Sequence, residues 1–424
     1  MRRSSARTSV DAVSRLAPVL RGVVIVVAAL LAAACGGDET KGSGKPLVVY
    51  VNAPFSGTPF VGETIVRGAE LGARVVNARG LNVGGESYVL KIKRVDNGLS
   101  PQSAVANVRR AVDDEAVAVV DEGTGVNASW RIGADASLPL GITYQGGIGL
   151  VDPEQRPNVF RIAPSDHGLA FRLAEYMIPK DLKIALLADD SGYGQEGKKA
   201  LDGAFQGQDS VVARIDLPAT ATDVAPQILR AKRAGATALL VWAQAPLISA
   251  TITAARSRGW EVPIYAPPAG ADPLIRQELS GSPDWVDGLT FASGRMTSEV
   301  GTSPFFTFVQ MFEAAYGPQR VGVRTAEGRE VIQPPEYAMY SFDFVRLLAS
   351  ALEAAGAVRG EAVIRALNRV TIAGANGDER GFNLVNHEGV IDDDVYFARF
   401  RDMTFAPVED DLLSASLPNV EQTR

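Results

Sequence analysis

The residue types that most often carry catalysis are scarce in this chain. It contains two histidines, His167 and His387, and a single cysteine, Cys35. The sequence has no HExxH zinc motif, no GxSxG nucleophile turn and no CxxC pair. The aspartates at 392–394 lack the alternating ligand spacing of a calcium loop, which favours a solvated turn. We therefore predict a protein that is not an enzyme and that binds no metal or cofactor.

Residues suited to holding a small molecule instead follow directly after apolar runs. Ser56 and Phe60 lie in a glycine-containing loop that offers hydroxyls and aromatic rings. Such a loop favours ligand contact, and an ordinary turn that covers apolar residues is the alternative.

A second loop contains Thr124, Gly125 and Asn127, and its small residues open a helix. Backbone N–H groups at such a helix start are free to hold a polar or anionic group. The segment 123–128 also matches a weak GxGxxA dinucleotide pattern. Because it does not follow the first strand and no acidic residue follows the next strand, we do not expect a dinucleotide.

The apolar runs and the segments between them predict the elements that position these loops. Short β-branched runs alternate with longer segments of helical spacing, which is typical of βαβ units around parallel sheets. Predicted strands are 47–51, 89–95, 117–120, 140–143, 183–187, 211–215, 238–242, 263–265, 289–291 and 395–400. Predicted helices begin near residue 65 and cover 101–112, 127–136, 196–205, 225–234, 247–258, 305–316 and 337–355.

The N-terminus predicts export. Five arginines precede an uncharged apolar run over 23–34 that ends in small residues before Cys35. The run is too short for a comfortable membrane span. These features resemble a bacterial lipoprotein signal, which would make residues 1–34 a cleaved signal peptide and Cys35 the lipidated N-terminus. A retained N-terminal helix with an incidental thiol is the alternative. The polar, glycine-rich stretch 35–45 is then a flexible tether.

Charge and length limit the remaining possibilities. The formal net charge is −7, and removal of the arginine-rich leader makes the remainder more acidic. Nucleic acid is therefore not an expected partner. With one cysteine no intrachain disulfide can form, and 424 residues suggest at least two domains.

Several segments resemble the branched-chain amino-acid-type family of periplasmic solute-binding proteins, and the likeness covers nearly the whole chain after the tether. Their order and spacing carry the resemblance more than any single motif does. The segments are 53–57 with 68–73, 158–166, 189–195, and 340–343 with 347–348.

The resemblance implies an α/β fold of two Rossmann-like lobes with parallel central sheets, joined by three hinge crossings and closing on a ligand. We place lobe 1 at 46–163 plus 292–375 and lobe 2 at 164–291 plus 376–424. A small-molecule solute, ABC permease subunits and, through Cys35, the membrane are the implied partners of a monomer. The implied location is the outer face of the cell membrane or the periplasm.

The resemblance also implies ligand contacts beyond Ser56, Phe60 and the 124–127 loop. The additional residues are Tyr144, Gln145, Gly146, Tyr193, Trp242, Gln244 and Pro268. Amino-acid binders of the family usually carry an acid where Pro268 stands, and the nearby Asp272 is expected to cap a helix. Sequestering an ammonium group without a carboxylate is costly, so we expect an amide or a carboxylate without an amine.

Two functions remain open at this point. The first is the binding component of an ABC importer, and the second is a sensing protein that presents its bound ligand to a membrane receptor.

Overall fold

The computed structural model describes residues 44–294, 303–411 and 414. The signal peptide predicted over 1–34, Cys35 and the tether up to residue 43 lie outside the described residues. Within the described ranges, no helix combines the length and the apolar character needed to cross a bilayer.

The first sheet is built from the N-terminal part of the chain. Its strand order is β2-β3-β1-β4-β5-β6, parallel throughout except for β2, which runs antiparallel to β3. The strands are β1 (Lys45–Ala53), β2 (Leu81–Val83), β3 (Glu86–Asp96), β4 (Ala118–Asp121), β5 (Leu140–Ile142) and β6 (Val159–Arg161).

The second sheet has the order β17-β16-β11-β10-β9-β7-β8. The strands from β7 to β11 run parallel, and β16 and β17 extend the sheet as antiparallel strands. The strands are β7 (Ile184–Asp189), β8 (Val211–Leu217), β9 (Ala238–Trp242), β10 (Ile264–Ala266), β11 (Thr290–Ser293), β16 (Tyr396–Arg401) and β17 (Thr404–Pro407). The predicted α/β fold with parallel-dominated sheets is confirmed.

Helices cover both faces of each sheet. The helices are α1 (Pro59–Arg79), α2 (Pro101–Asp113), α3 (Val126–Asp135), α4 (Asp166–Met177), α5 (Gly192–Ala204), α6 (Ala225–Arg233), α7 (Ala245–Arg256), α8 (Pro273–Glu278), α9 (Ser303–Tyr316), α10 (Glu336–Ala355) and α11 (Glu361–Leu367). Strand side chains alternate between the two cores, as β1 illustrates. Val49 and Val51 pack with α1 and α10, whereas Tyr50 points to the opposite core beside α2.

Three passages of the chain lead from strands or helices of one sheet to those of the other, besides the excursion of the hairpin described below. The chain leaves the first sheet after β6, returns from β11 to α9, and crosses again from the hairpin of β14 (Thr371–Ala373) and β15 (Glu379–Gly381) to β16. At the third crossing Arg161 at the end of β6 pairs with Glu388 through both Nε and Nη2. Arg380 pairs there with Asp394 at 2.8 Å.

A hairpin of β12 (Gln319–Arg324) and β13 (Glu330–Gln333) departs from the sequence interpretation. The lobe boundaries predicted from the sequence include it in lobe 1. Val321, Val323 and Val331 are instead buried in the apolar cluster of the second sheet. The alternation of valines with charged residues gives the hairpin one apolar face, which needs a partner surface to be buried. The hairpin therefore packs with the second sheet, although α9 before it and α10 after it pack on the first.

Candidate functional site

The carboxyl ends of the parallel strands carry the loops predicted to bind a ligand. In open α/β sheets this edge is the usual place for a ligand, because the loops and the helix starts converge there. The loops after β1, β4 and β5 belong to the first sheet, and those after β7, β9 and β10 belong to the second.

Ser56 and Phe60 lie at the outer end of this edge. The Ser56 hydroxyl donates to the carboxylate of Asp96 at the end of β3, and its backbone N–H donates to the same group. Ser56 is exposed, while Phe60 lies in the first turn of α1 and packs partly against the first core. The structure thus gives both residues contacts within the first sheet's own loops.

Glu122, which the sequence analysis did not single out, organises the loop after β4. Its carboxylate accepts from the Asn97 side chain at 3.2 Å, the Thr124 backbone N–H at 2.9 Å and the Gln145 amide at 3.3 Å. Gln145 also donates to the Thr124 hydroxyl at 3.0 Å. This buried carboxylate thus links the loops that precede α2, α3 and β6 through hydrogen bonds. An acid directly after an apolar strand is the signal that could have identified it.

The next two residues of this loop have different roles. Gly125 caps α3 with φ of 85°, a left-handed conformation that favours glycine. Asn127 points away from the network, because its side chain is exposed and accepts from Arg156 at 2.7 Å.

The loop after β5 brings Tyr144, Gln145 and Gly146 against the other sheet's elements. The Gly146 carbonyl accepts from the Asp166 N–H at 2.8 Å, at the start of α4. A side chain on Gly146 would collide with Asp166, since an added Cβ would lie 2.3 Å from its Oδ1. Gly146 therefore allows the two elements to approach closely at the first crossing.

Asp189 organises the corresponding edge of the second sheet. Its carboxylate accepts from the Ser191 N–H at 3.0 Å and from the Gln244 N–H at 3.1 Å. Gln244 thus contributes its backbone to the network, and its side chain is exposed at the N-cap of α7. Tyr193 follows in the first turn of α5, where it is partly buried.

Trp242, predicted as a ligand contact, is fully buried in the core of the second sheet. An added Cβ on Gly197 of α5 would lie 2.1 Å from its ring, so the indole occupies the space that this glycine leaves. Tyr193 packs on it with ring centroids 6.2 Å apart. The structure therefore places Trp242 behind Tyr193.

Pro268 and Tyr337 join elements of the two sheets. The hydroxyl of Tyr337, at the start of α10, donates to the Pro268 carbonyl at 2.9 Å. The Tyr337 ring meets Tyr144 edge to face, with centroids 5.2 Å apart. Sequence reasoning assigned no role to Tyr337, although an aromatic residue just after the prolines at 334 and 335 is a signal for it.

The packing of α10 on α1 fixes the position of Tyr337. An added Cβ on Gly68 would lie 2.0 Å from the Ala338 carbonyl oxygen, so the helix backbones touch there. The Ser341 hydroxyl donates to the Ile65 carbonyl at 2.8 Å, which holds α10 to α1 at their point of contact. Because α10 begins immediately before this contact, its first turn is held rigidly at the edge of the first sheet.

Tyr144, Tyr193 and Tyr337 converge from both sheets and lie among buried acids. Burial raises the pKa of all three phenols, and each feels the charge of a neighbouring carboxylate. Asp272, half-buried after β10, is one of these neighbours for Tyr144 and Tyr337. It also caps α8 by accepting from the Leu274 N–H at 2.8 Å, as the sequence predicted.

The surrounding carboxyl groups are also perturbed. Burial raises the pKa of Asp121 to about 7, and the charge of Glu122 adds to the effect. Burial raises the pKa of Asp166 to about 7 as well, although Arg161 opposes it. Groups that titrate near neutrality beside a cluster of aromatic rings are typical of ligand sites.

Comparisons with known proteins identify the family and the fold. A family model described as periplasmic binding protein matches residues 48–404. The Leu/Ile/Val-binding protein homolog 7 of Brucella melitensis is 29% identical over 238 residues, which cover 51% of this chain and 56% of that protein. The match thus spans about half the length of this curated relative.

Solved structures share the fold. A type 1 periplasmic binding protein from Bordetella pertussis has a TM-score of 0.73 at 20% identity, covering 86% of this chain and 100% of that one. A branched-chain amino acid transporter substrate-binding protein from Streptococcus pneumoniae, solved with isoleucine, gives 0.71 at 20% identity, covering 85% and 98%. A benzoate-bound solute-binding protein from R. palustris gives 0.67 at 18% identity, covering 85% and 95%.

The resemblance inferred from the sequence is therefore confirmed. The chain belongs to the periplasmic binding protein family, and its fold is that of type I periplasmic binding proteins.

Proposed function

We propose that this protein is the exported solute-binding subunit of an ABC importer. It captures one small polar solute between two hinged lobes, with the boundaries given above except that the hairpin at 319–333 moves with the second lobe. One observation supports this proposal most directly. Tyr144 and Tyr337, which belong to the first sheet, lie close to Tyr193 and Pro268, which belong to the second. Three rings with polar tips suit a site that must both stack on a solute and hydrogen-bond to it.

The size of the solute is suggested by the related proteins. Isoleucine is bound in the Streptococcus pneumoniae structure, and benzoate is bound in the R. palustris structure. A solute of about that size would fill a gap between Gln145, Tyr193 and Tyr337. Hinge closure then buries it between the lobes.

Native mass spectrometry of the purified protein tests solute capture directly. We expect a co-purifying small molecule, or one that a thermal-shift screen of amino acids, amides and aromatic acids identifies. A ligand that binds only the folded state raises the melting temperature by mass action. A protein that retains no solute and responds to no member of the screen would contradict the proposal.

The membrane anchor is tested separately. We propose that Cys35 is lipidated and holds the protein at the outer face of the membrane. In cells fed an alkyne fatty acid, the wild-type protein should acquire the label and sediment with membranes. The Cys35→Ser variant should lose the label and become soluble. Equal labelling of both would show that the acyl chain is attached elsewhere or not at all.

Transport is distinguished from sensing by deletion of the gene. An importer subunit is required for uptake of the solute that it binds, whereas a sensing protein is required for the transcriptional response and leaves uptake unchanged.

A further inference from the structure

Exposed apolar side chains are concentrated on one part of the surface. Among the described residues seven large apolar side chains are exposed, and five of them lie in or beside one open groove. The five are Ile148, Phe171, Leu384, Val385 and Ile391. The two isoleucines line the groove, Phe171 packs on its lining residue His167 with ring centroids 4.4 Å apart, and the other two directly precede the lining residue Asn386. Apolar surface gathered in this way marks a site of interaction.

The groove lies between the first and third crossings of the chain. Its lining comes from residues 161–167, residues 386–392 and the loop at 146–151, so it shares Gly146 with the predicted solute contacts but none of the tyrosines. Its volume is about 530 Å³, enough for several side chains. The guanidinium of Arg161 already pairs there with Glu388. An occupant of the groove therefore meets apolar side chains and a neutralised ion pair.

The last described residues of the chain lead toward this groove. Asp410 accepts from the Tyr176 hydroxyl at 2.8 Å, near the end of α4. Asp411 accepts from the Arg172 guanidinium at 3.2 Å, one turn closer to the start of the same helix. These contacts run along α4 toward its first turn, where His167 lines the groove.

Ser414 brings the chain within reach of the groove. Its hydroxyl accepts from the Phe397 N–H at 2.8 Å in β16, and the groove residue Ile391 precedes that strand. A rise of about 7.5 Å along α4 separates Arg172 from His167. Residues 415–424 lie outside the described residues, and a segment of that length spans about 30 Å in an extended or polyproline conformation. It is therefore long enough to cross the groove.

The sequence of this segment suits apolar surroundings. Leu417 precedes Pro418, and proline restricts both residues to extended backbone. Because a polyproline conformation has three residues per turn, Leu417 and Val420 would lie on the same side. The segment contains one acid and one base, so its side-chain charges cancel. It thus offers two apolar side chains and no net side-chain charge.

We propose that residues 415–424 bind in this groove of their own chain, with Leu417 and Val420 against Ile148 and Ile391. The segment then contacts the first and third crossings together and covers apolar surface that would otherwise face water. Because it is tethered at Ser414, its effective concentration at the groove is high, and weak contacts suffice. The inference concerns a contact within the chain and does not depend on the proposed function.

Disulfide trapping in the purified protein tests the contact. A Cys35→Ser background removes the native thiol, and Asn419→Cys, which spares both apolar side chains of the segment, is then paired with Ile391→Cys in the groove. Arg401→Cys is the control partner for Asn419→Cys. Exposed Arg401 lies about 13 Å along β16 from the N–H that binds Ser414, in the direction away from the groove. A segment that moves freely reaches both partners.

Under mild oxidation the Ile391 pair should close at least about 10-fold faster than the Arg401 pair, because docking raises the local concentration of the two thiols. Equal rates would overturn the proposal. A disulfide between two chains, seen as a dimer on a non-reducing gel, would assign the segment to a second copy and overturn the contact within one chain.

A double substitution, Leu417→Ser with Val420→Ser, tests the apolar contact itself. In the cysteine background it should slow closure of the Ile391 pair to the rate of the Arg401 pair, because the side chains that docking buries are gone. Gln422→Ser is the control and should leave the rate unchanged. Each variant should keep a cooperative unfolding transition, since neither core is altered. Rapid closure that persists in the double variant would contradict the proposal.

Discussion

Tyr193, at the start of α5, keeps part of its ring accessible and packs on a buried neighbour. That neighbour, Trp242, is buried in the core of the second sheet, and its ring lies against Gly197, where a side chain would not fit. A change at Tyr193 therefore alters the surface of the site more than the packing beneath it.

The Tyr193→Ala variant should lose about 10-fold or more in affinity for whichever solute the screen identifies, because a stacking face and a hydroxyl disappear together. Its cooperative unfolding transition should persist, since the ring is only partly buried. Tyr88→Ala is the control, because that partly buried tyrosine donates to Glu86 at 2.8 Å at the start of β3, the end opposite the carboxyl edge of the sheet. Solute affinity that is unchanged in Tyr193→Ala would remove this ring from the site.

At the residue scale the sequence predicted where the loops lie better than what each side chain does. Tyr144, Gln145 and Tyr193 were named from their place after strands, and the structure brings them near one another. Whether they touch a solute stays a prediction. Trp242 ends a strand in the same way, but the alternation of strand side chains turns it toward the core. Glu122 and Asp272 were not proposed as ligand contacts, because the residues that surround their carboxylates are distant from them in sequence.

At the element scale the contact between α1 and α10 determines where Tyr337 lies. The two helices approach at Gly68 closely enough that no side chain fits. Any group added there must displace backbone, which is costly in a packed interior.

The Gly68→Ala variant should lower the free energy of unfolding by about 2 kcal/mol or more through overpacking. Gly203→Ala offers the comparison, because that helical glycine is exposed and nothing lies within 4 Å of an added Cβ. It should instead gain about 0.5–1 kcal/mol from helix propensity. Chemical denaturation of both variants checks the difference in sign, and a neutral Gly68→Ala would show that α10 can shift on α1.

Helices and strands whose own apolar residues recur regularly were predicted well from the sequence. The strand at 238–242 matches β9, and the helix at 337–355 matches α10 to within one residue. The hairpin β12–β13 was missed, because the surface that buries its valines comes from the second sheet. The bounds of α4 were not predicted either, since the segment 158–166 before it was used only for the family resemblance.

Across the whole molecule, buried acids couple stability to pH. Burial raises the pKa of Asp121 and Asp166 to about 7 and that of Glu336, at the second crossing, to about 8. In the unfolded chain these groups lose their protons near pH 4. Between about pH 4 and pH 8 the folded state therefore binds more protons than the unfolded chain, and stability falls as the pH rises.

Melting temperatures should decrease between about pH 6.5 and pH 8 and level off above that window, because by then all three carboxyl groups have lost their protons in the folded state as well. Below that window His387 acts in the opposite direction, because burial lowers its pKa and its protonation disfavours the folded state. Glu336→Gln should flatten the upper part of the curve, since an amide can still accept from the Gly294 N–H, as Glu336 does at 3.3 Å. Stability that rises with pH from 6.5 to 8.5 would contradict this assignment of protonation states.

The anchoring of the β12–β13 hairpin bears on how a closing motion would proceed. Gln333 donates from β13 to the Ala271 carbonyl at 3.2 Å, and two prolines then lead into the turn that holds Tyr337. The hairpin, which packs with the second sheet, and the start of α10, which packs on α1, are thus joined by a short, stiff linkage. If the second lobe rotates, Gln333 moves with Ala271 while Tyr337 stays with the first sheet. The two prolines between them would then limit how far the lobes can separate.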